Sequence, residues 1–196
     1  MVDYDARTAL VVVDVQNDFA HPDGSLYVNE AGEAIVAVNE EIERASAAGA
    51  VVAYTQDWHP EHTPHFAQDG GIWPVHCVGD SWGAQLHDDL TSIDGAPRVR
   101  KGVGGEDGYS GFTVHDVERD ADAPTELEGV LRDRGVERVV VVGLATDYCV
   151  RDTALDAARL GFETTVLERA IRAVNLEPGD GERALQAMRL AGANIE

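Results

Sequence analysis

The chain is predicted to fold as an α/β protein: three layers, α-β-α, around a mostly parallel, doubly wound, six-stranded sheet. Three observations carry this expectation. Four consecutive valines, 139–142, precede Gly143, and an apolar run without alternation is what a strand buried on both faces requires. Residues 8–13 form a second such run. Between and after these runs the elements follow the order βαβ, loop, β, loop, αβαβα, in which helices serve as crossovers between parallel strands.

Residues 8–13 give the first strand, ended by Asp14. Residues 30–48 read as a helix with Ile35, Val38, Ile42 and Ala45 on one face, Glu40, Glu41 and Arg44 turned mostly outward, and Gly49 as the stop signal. The second strand, 50–55, completes a βαβ unit. The stretch 57–77 then has no sustained period and holds four histidines, three prolines and two tryptophans, which marks a functional excursion rather than a disordered one. A short strand at 97–101 ends in Lys101. It runs into a glycine-rich stretch, 102–112, that lacks the Gly-Lys-Ser/Thr ending of a phosphate cradle and carries Glu106 and Asp107, so it reads as a pocket wall, mobile or tightly turned. Thr125-x-x-Glu128 matches a capping box for a helix over 125–135. The central valine strand, a helix over 147–160 closed by Gly161, a strand at 162–167, a helix at 180–190 and a last strand at 193–196 complete the chain.

With 196 residues the chain suits one well-cored domain. No apolar run approaches the roughly 20 residues of a membrane span, and the acidic N-terminus does not look like a signal peptide. A net charge of −21, from 36 acidic and 15 basic residues, excludes nucleic acid and anionic membranes as partners. Cys77 and Cys149 are far apart and suggest no disulfide framework, so a reducing cytoplasm is expected.

In a parallel sheet of this order the carboxyl ends of the strands share one edge. Asp14 ends the first strand, Asp57 and His59 follow the second, Lys101 ends the third and Cys149 follows the fourth. Cys149 falls in the first turn of the predicted helix, where unpaired amides and the helix dipole favour a thiolate, and is the best nucleophile in the sequence. Asp14 is placed to accept its proton, Lys101 to keep Asp14 ionised, and the backbone amides from Ala145 to Cys149 to face a developing oxyanion. These groups suit acyl transfer. Asp57, His59, His65 and His76 form an oxygen-plus-imidazole set suited to one divalent ion, zinc, manganese or iron, with His62 an alternative to His65.

The motifs Val-Val-Asp14-Val-Gln-Asn-Asp-Phe19, Gly24-Ser-Leu26, Gln-Asp57-Trp-His59-Pro, His65-Phe66, Trp73-Pro-Val-His76-Cys, Arg-Lys101-Gly, Tyr109-Ser-Gly-Phe and Gly143-Leu-Ala-Thr-Asp-Tyr-Cys149-Val run through nearly the full length. In these residues the chain resembles the isochorismatase-like cysteine hydrolases, and among them the nicotinamidase/pyrazinamidase branch. The resemblance implies a triad of Asp14, Lys101 and Cys149 and a metal held by Asp57, His59 and His76, with His65 completing the set. It also implies a cis peptide between Leu144 and Ala145 and an oxyanion hole from the amides of Ala145 and Cys149. Phe19, Leu26, Trp73 and Tyr109 would sandwich a pyridine ring. The implied partner is a small aromatic amide, and self-association is left open. Alternatives are an amidase of the N-carbamoylsarcosine or ureidoacrylate type, which shares the triad, and an inactive pyridine-binding module.

Overall fold

The computed structural model describes residues 2–117 and 119–196. Its strands are β1 (Thr8–Val13), β2 (Val51–Asp57), β3 (Arg98–Lys101), β4 (Thr113–Asp116), β5 (Ala121–Pro124), β6 (Arg138–Leu144), β7 (Glu163–Arg172) and β8 (Asn194–Ile195). The helices are α1 (Asn17–Ala20), α2 (Ala31–Ala47), α3 (Leu127–Asp133), α4 (Arg151–Arg159) and α5 (Asp180–Leu190). Six strands form one sheet in the order β3-β2-β1-β6-β7-β8, and each pairing in it is parallel. The expected six-stranded, doubly wound sheet is thus the observed one. The strand order reverses between β1 and β6, the switch point where open parallel sheets leave a crevice at their carboxyl ends.

The apolar runs are continuous because alternate residues feed two different cores. Val11, Val13, Val139 and Val141 pack with Leu127 and Leu131 of α3, Ala154 and Ala157 of α4, and Leu185 and Met188 of α5. Leu10, Val12, Val140 and Val142 face the other way, against Ile35, Val38, Ile42 and Ala45 of α2. Each fully buried valine, leucine, isoleucine or methionine among them contributes about 1.5–3 kcal/mol. No helix among the described residues is long and apolar enough to cross a membrane.

The structure departs from the expectations at four places. Glu41 is not turned outward. It is buried on α2, where it accepts hydrogen bonds from Tyr4 Oη (2.6 Å), Arg44 (2.6 Å) and Arg169 (2.5 Å), partners that the N-terminus and β7 bring from far along the chain. Residues 113–116 and 121–124, where no strand was expected, pair antiparallel as β4 and β5. The capping box at Thr125 is half made. The Thr125 hydroxyl accepts from the Leu127 amide, but the Thr125 amide already donates to the Phe112 carbonyl, so Glu128 pairs instead with Arg132. Finally, the helix expected from 147 begins as a π-turn, Thr146–Val150, with the Val150 amide bonded to the Ala145 carbonyl; α4 starts only at Arg151.

Candidate active site

Strand ends position the first set of groups. Asp14 leaves the extended conformation at φ 49°, which ends β1 and points its carboxylate into the crevice. There Oδ1 accepts a 2.6 Å hydrogen bond from the Thr55 hydroxyl of the neighbouring strand. Oδ2 lies 2.9 Å from Lys101 Nζ as an ion pair, yet at an angle that leaves it without a hydrogen bond among the described residues. Lys101 sits at the end of β3, and its ammonium also bonds Asp57 Oδ1 and reaches Cys149 Sγ at 3.5 Å. One cation therefore serves both carboxylates and the sulfur. The reactive atoms of Asp14, Asp57 and Cys149 lie within 4.8 Å of one another.

The β6 end is shaped for close approach. Gly143 has φ 112°, and a Cβ there would stand 2.2 Å from the Val13 carbonyl oxygen, so only glycine fits. The next peptide, Leu144–Ala145, is cis, as the motifs imply. Cys149 follows in the π-turn and is buried.

Burial decides the protonation of these groups. It pushes the Cys149 thiol well above its ordinary value, with Lys101 opposing and the two carboxylates adding to the rise. The helix-terminus effect expected to give a resting thiolate is therefore outweighed, since desolvation disfavours the charged form. Burial likewise raises Asp14, against the pull of Lys101. Burial would raise Asp57 too, but Lys101 and the nearby imidazoles overcome it and hold Asp57 well below the usual carboxylate range. Burial works against the charge on Lys101, and its two carboxylates keep it protonated.

The irregular segment after β2 supplies the second set. The ring nitrogens of His59, His65 and His76 lie within 4.8 Å of one another, all three residues buried. Asp57 Oδ2 is 3.7 Å from His59 Nε2 and 3.8 Å from His76 Nε2. His76 Nδ1 donates to the Pro74 carbonyl at 2.8 Å, and His65 Nδ1 to the Asp107 carboxylate at 2.6 Å, which leaves each Nε2 with a free lone pair. Burial pulls His76 down to about 4, so it is neutral in the physiological range. Both nitrogens of buried His59 lack a hydrogen-bond partner among the described residues, an arrangement costing about 1–3 kcal/mol unless something binds there. Three clustered imidazoles beside an ionised carboxylate form a donor set that fits a divalent transition ion or zinc. His62 stands apart, exposed and paired with Asp69 at 3.1 Å.

One cavity joins the two sets. It is lined by Phe19, Leu26, Trp73 and Tyr109, by Asp57, His65, His76 and Cys149, and by Tyr148 and Ala145. Asp14, Lys101 and His59 lie behind this surface. The Trp73 indole donates to Tyr109 Oη at 3.0 Å, and Tyr148 sits edge-on to both rings, 5.0 and 5.2 Å between centroids. All the predicted site residues thus converge. Sequence reasoning missed Tyr148, Thr55, Gln16 and Asp107. Gln16 Oε1 accepts from the Asp57 amide at 2.8 Å while its Nε2 donates to the Asp57 and Ala84 carbonyls at 2.7 and 2.9 Å. Its place two residues after Asp14 was the only available hint.

A doubly wound parallel sheet with a buried cysteine, carboxylate and ammonium at its switch point defines a three-layer α-β-α hydrolase scaffold, and residues 8–196 match the isochorismatase domain: the chain belongs to that family. It is 36% identical to the nicotinamidase of Escherichia coli K12 over 203 aligned residues, covering 95% of this chain and 93% of the relative. The zinc complex of the pyrazinamidase of Pyrococcus horikoshii superposes with a TM-score of 0.87 at 40% identity, covering 97% of this chain and 98% of the other. The yeast nicotinamidase bound to the inhibitor nicotinaldehyde superposes with a TM-score of 0.86 at 30% identity, covering 96% and 98%.

Proposed function

We propose that the protein is a metal-dependent cysteine amidohydrolase that converts nicotinamide to nicotinate and ammonia through a thioester on Cys149, and that it also accepts pyrazinamide. The observation that carries this reading is a single aromatic-lined cavity onto which Cys149, Asp57, His65 and His76 all open. The likeness to nicotinamidases and to a zinc-bound pyrazinamidase supports it.

Phe19, Leu26, Trp73 and Tyr109 clamp a flat heteroaromatic ring by its faces and edges. Asp57, His59, His65 and His76 would hold the divalent ion, zinc, manganese or iron. When bound, that ion supplies an electron-pair acceptor for the ring nitrogen and so fixes the carboxamide over the sulfur. Because burial keeps Cys149 a thiol at rest, the proton passes to Asp14 Oδ2 as sulfur bonds to the carbonyl carbon. Lys101 keeps Asp14 able to accept that proton and balances the anionic charge. The amides of Ala145 and Cys149 stabilise the oxyanion. Asp14 then returns the proton to the departing nitrogen, ammonia leaves and the thioester remains. A water that gives its proton to Asp14 hydrolyses the thioester to nicotinate, and the proton goes back to the Cys149 sulfur. Two buried, unpaired cysteines suit a cytoplasmic location.

The test is ammonia release from nicotinamide, pyrazinamide and aliphatic amides, run beside elemental analysis. Ring amides should be turned over by protein carrying stoichiometric metal, and Cys149→Ala should lose turnover by at least about 10⁴-fold with its metal retained. Preference for aliphatic amides, or turnover by Cys149→Ala near the wild-type rate, overturns the reading.

A further inference from the structure

We propose that Asp107, on the glycine-rich loop after β3, is a positioning residue for the metal set: it holds His65 by Nδ1 and ties that ligand to the aromatic wall of the cavity. The inference rests on the metal reading above and adds to it a residue outside the ligand set.

The contact is specific. Asp107 Oδ1 accepts from His65 Nδ1 at 2.6 Å and from the Gly108 amide at 2.7 Å. The main chain of Asp107 is fixed as well, since its amide donates to the His115 carbonyl at 2.9 Å and its carbonyl accepts the His115 amide at 2.7 Å. The loop that reads from sequence as a mobile or tightly turned wall is therefore pinned to β4, with the carboxylate aimed at one imidazole. Among the described residues, His76 has a backbone carbonyl hydrogen-bonded to its Nδ1 and His59 has no hydrogen-bond partner, so of the three clustered histidines His65 is the one whose Nδ1 is held by a carboxylate. A carboxylate in that position fixes tautomer and ring orientation and makes the opposite nitrogen a better donor.

The same residue closes a circuit through the cavity wall. Gly108, at φ 114°, turns the chain so that Tyr109 reaches the cavity two residues after Asp107. Tyr109 Oη accepts from Trp73 Nε1 at 3.0 Å, and the Trp73 amide donates to the His65 carbonyl at 3.4 Å. His65, Asp107, Tyr109 and Trp73 thus form one ring of contacts, in which a ligand to the ion and two walls of the substrate cavity hold each other in place. Loosening Asp107 should weaken metal binding and raise KM together, while leaving the Asp14, Lys101 and Cys149 side intact.

The experiment is a zinc titration of chelator-stripped protein against a chromophoric competitor, with thermal unfolding to establish that each variant is folded. Asp107→Ala should weaken zinc binding by about 10- to 100-fold. Asp107→Asn, which keeps the acceptor oxygen but not its charge, should fall between, about 3- to 10-fold weaker. In a His65→Ala background the further change Asp107→Ala should alter zinc affinity by less than about 2-fold, because the residue acts through His65. Zinc affinity of Asp107→Ala within about 2-fold of wild type, or an equal loss in the His65→Ala background, overturns the inference. Should the alanine variant not fold, wild-type zinc affinity in Asp107→Asn overturns it instead. Wild-type protein that binds no zinc overturns the metal reading itself, and this inference with it.

Discussion

Asp14, Asp57 and Lys101 stand at the ends of three neighbouring parallel strands, whereas His59, His65 and His76 belong to the irregular segment between β2 and β3. The first group inherits its placement from the sheet, because ladder hydrogen bonds and two hydrophobic cores fix where each strand stops. The second has no ladder behind it. It is placed by individual polar contacts: the His59 amide on the Cys77 carbonyl at 2.9 Å, Asp18 Oδ2 on the Cys77 amide at 2.7 Å, the Pro74 carbonyl on His76 and Asp107 on His65, with Gln16 fixing the Asp57 backbone where the segment begins. Chemistry at strand ends is thus protected by the whole fold, and chemistry in the loop only by its nearest partners.

Four changes sharpen that contrast, in order of expected effect. Gly143→Ala should strike the strand-held half hardest, since its Cβ would meet the Val13 backbone oxygen at 2.2 Å with φ at 112°. A loss of about 4 kcal/mol or more by denaturant unfolding is expected, and a loss under about 1 kcal/mol would show that β6 can shift freely. The second change is acid. His76 in the folded chain lies at about 4, below its ordinary 6.5, so between these values the unfolded chain binds the extra proton. Stability is then full above that window and declines as pH falls from about 6.5 to about 4, by on the order of 3 kcal/mol. Unfolding of metal-stripped protein at about pH 7 and about pH 4.5 measures this, and His76→Gln should flatten the difference. Gln16→Ala comes third. It leaves the Asp57 amide and the Asp57 carbonyl without their side-chain partner in a buried setting, at a cost of about 2 kcal/mol. Metal affinity should fall with it, and unchanged affinity would remove Gln16 from the supporting set. Last, His62→Ala should change stability by less than about 0.5 kcal/mol and leave metal content as it was; loss of metal would mean that His62, not His65, is the ligand.

The strand half could be read from the chain because burial on both faces leaves a direct mark. The runs ending at Asp14 and Gly143 have no alternation, and their order predicts the parallel sheet and its shared edge. Asp57, His59 and His76 were visible by residue type and spacing, but the choice between His65 and His62 waited on geometry, since both lie in the same unpatterned stretch. Asp107 looked only like a charge that would repel phosphate, because its partner His65 is far off in sequence. Glu41 failed for a related reason: three residues after Val38 and four before Ala45 it flanks the apolar face, but its charge argues for solvent, and nothing local announces that Tyr4 and Arg169 will cover it. The expectation of a resting Cys149 thiolate failed because a dipole at a turn is a local effect, whereas desolvation depends on everything packed around the sulfur. The β4–β5 hairpin escaped because Ala-Asp-Ala-Pro at 121–124 has none of the branched or aromatic residues that signal a strand.

Lys101 carries one more consequence. It is the only lysine in the chain, every other basic side chain being an arginine, and it is 1% exposed. Its ε-amino group is shielded by protein and held protonated by two carboxylates, so amine-directed reagents do not reach it in the native molecule. Acylation or reductive methylation of Lys101 would report that the crevice has opened, which makes the ammonium at the centre of the site a built-in chemical reporter of its own enclosure.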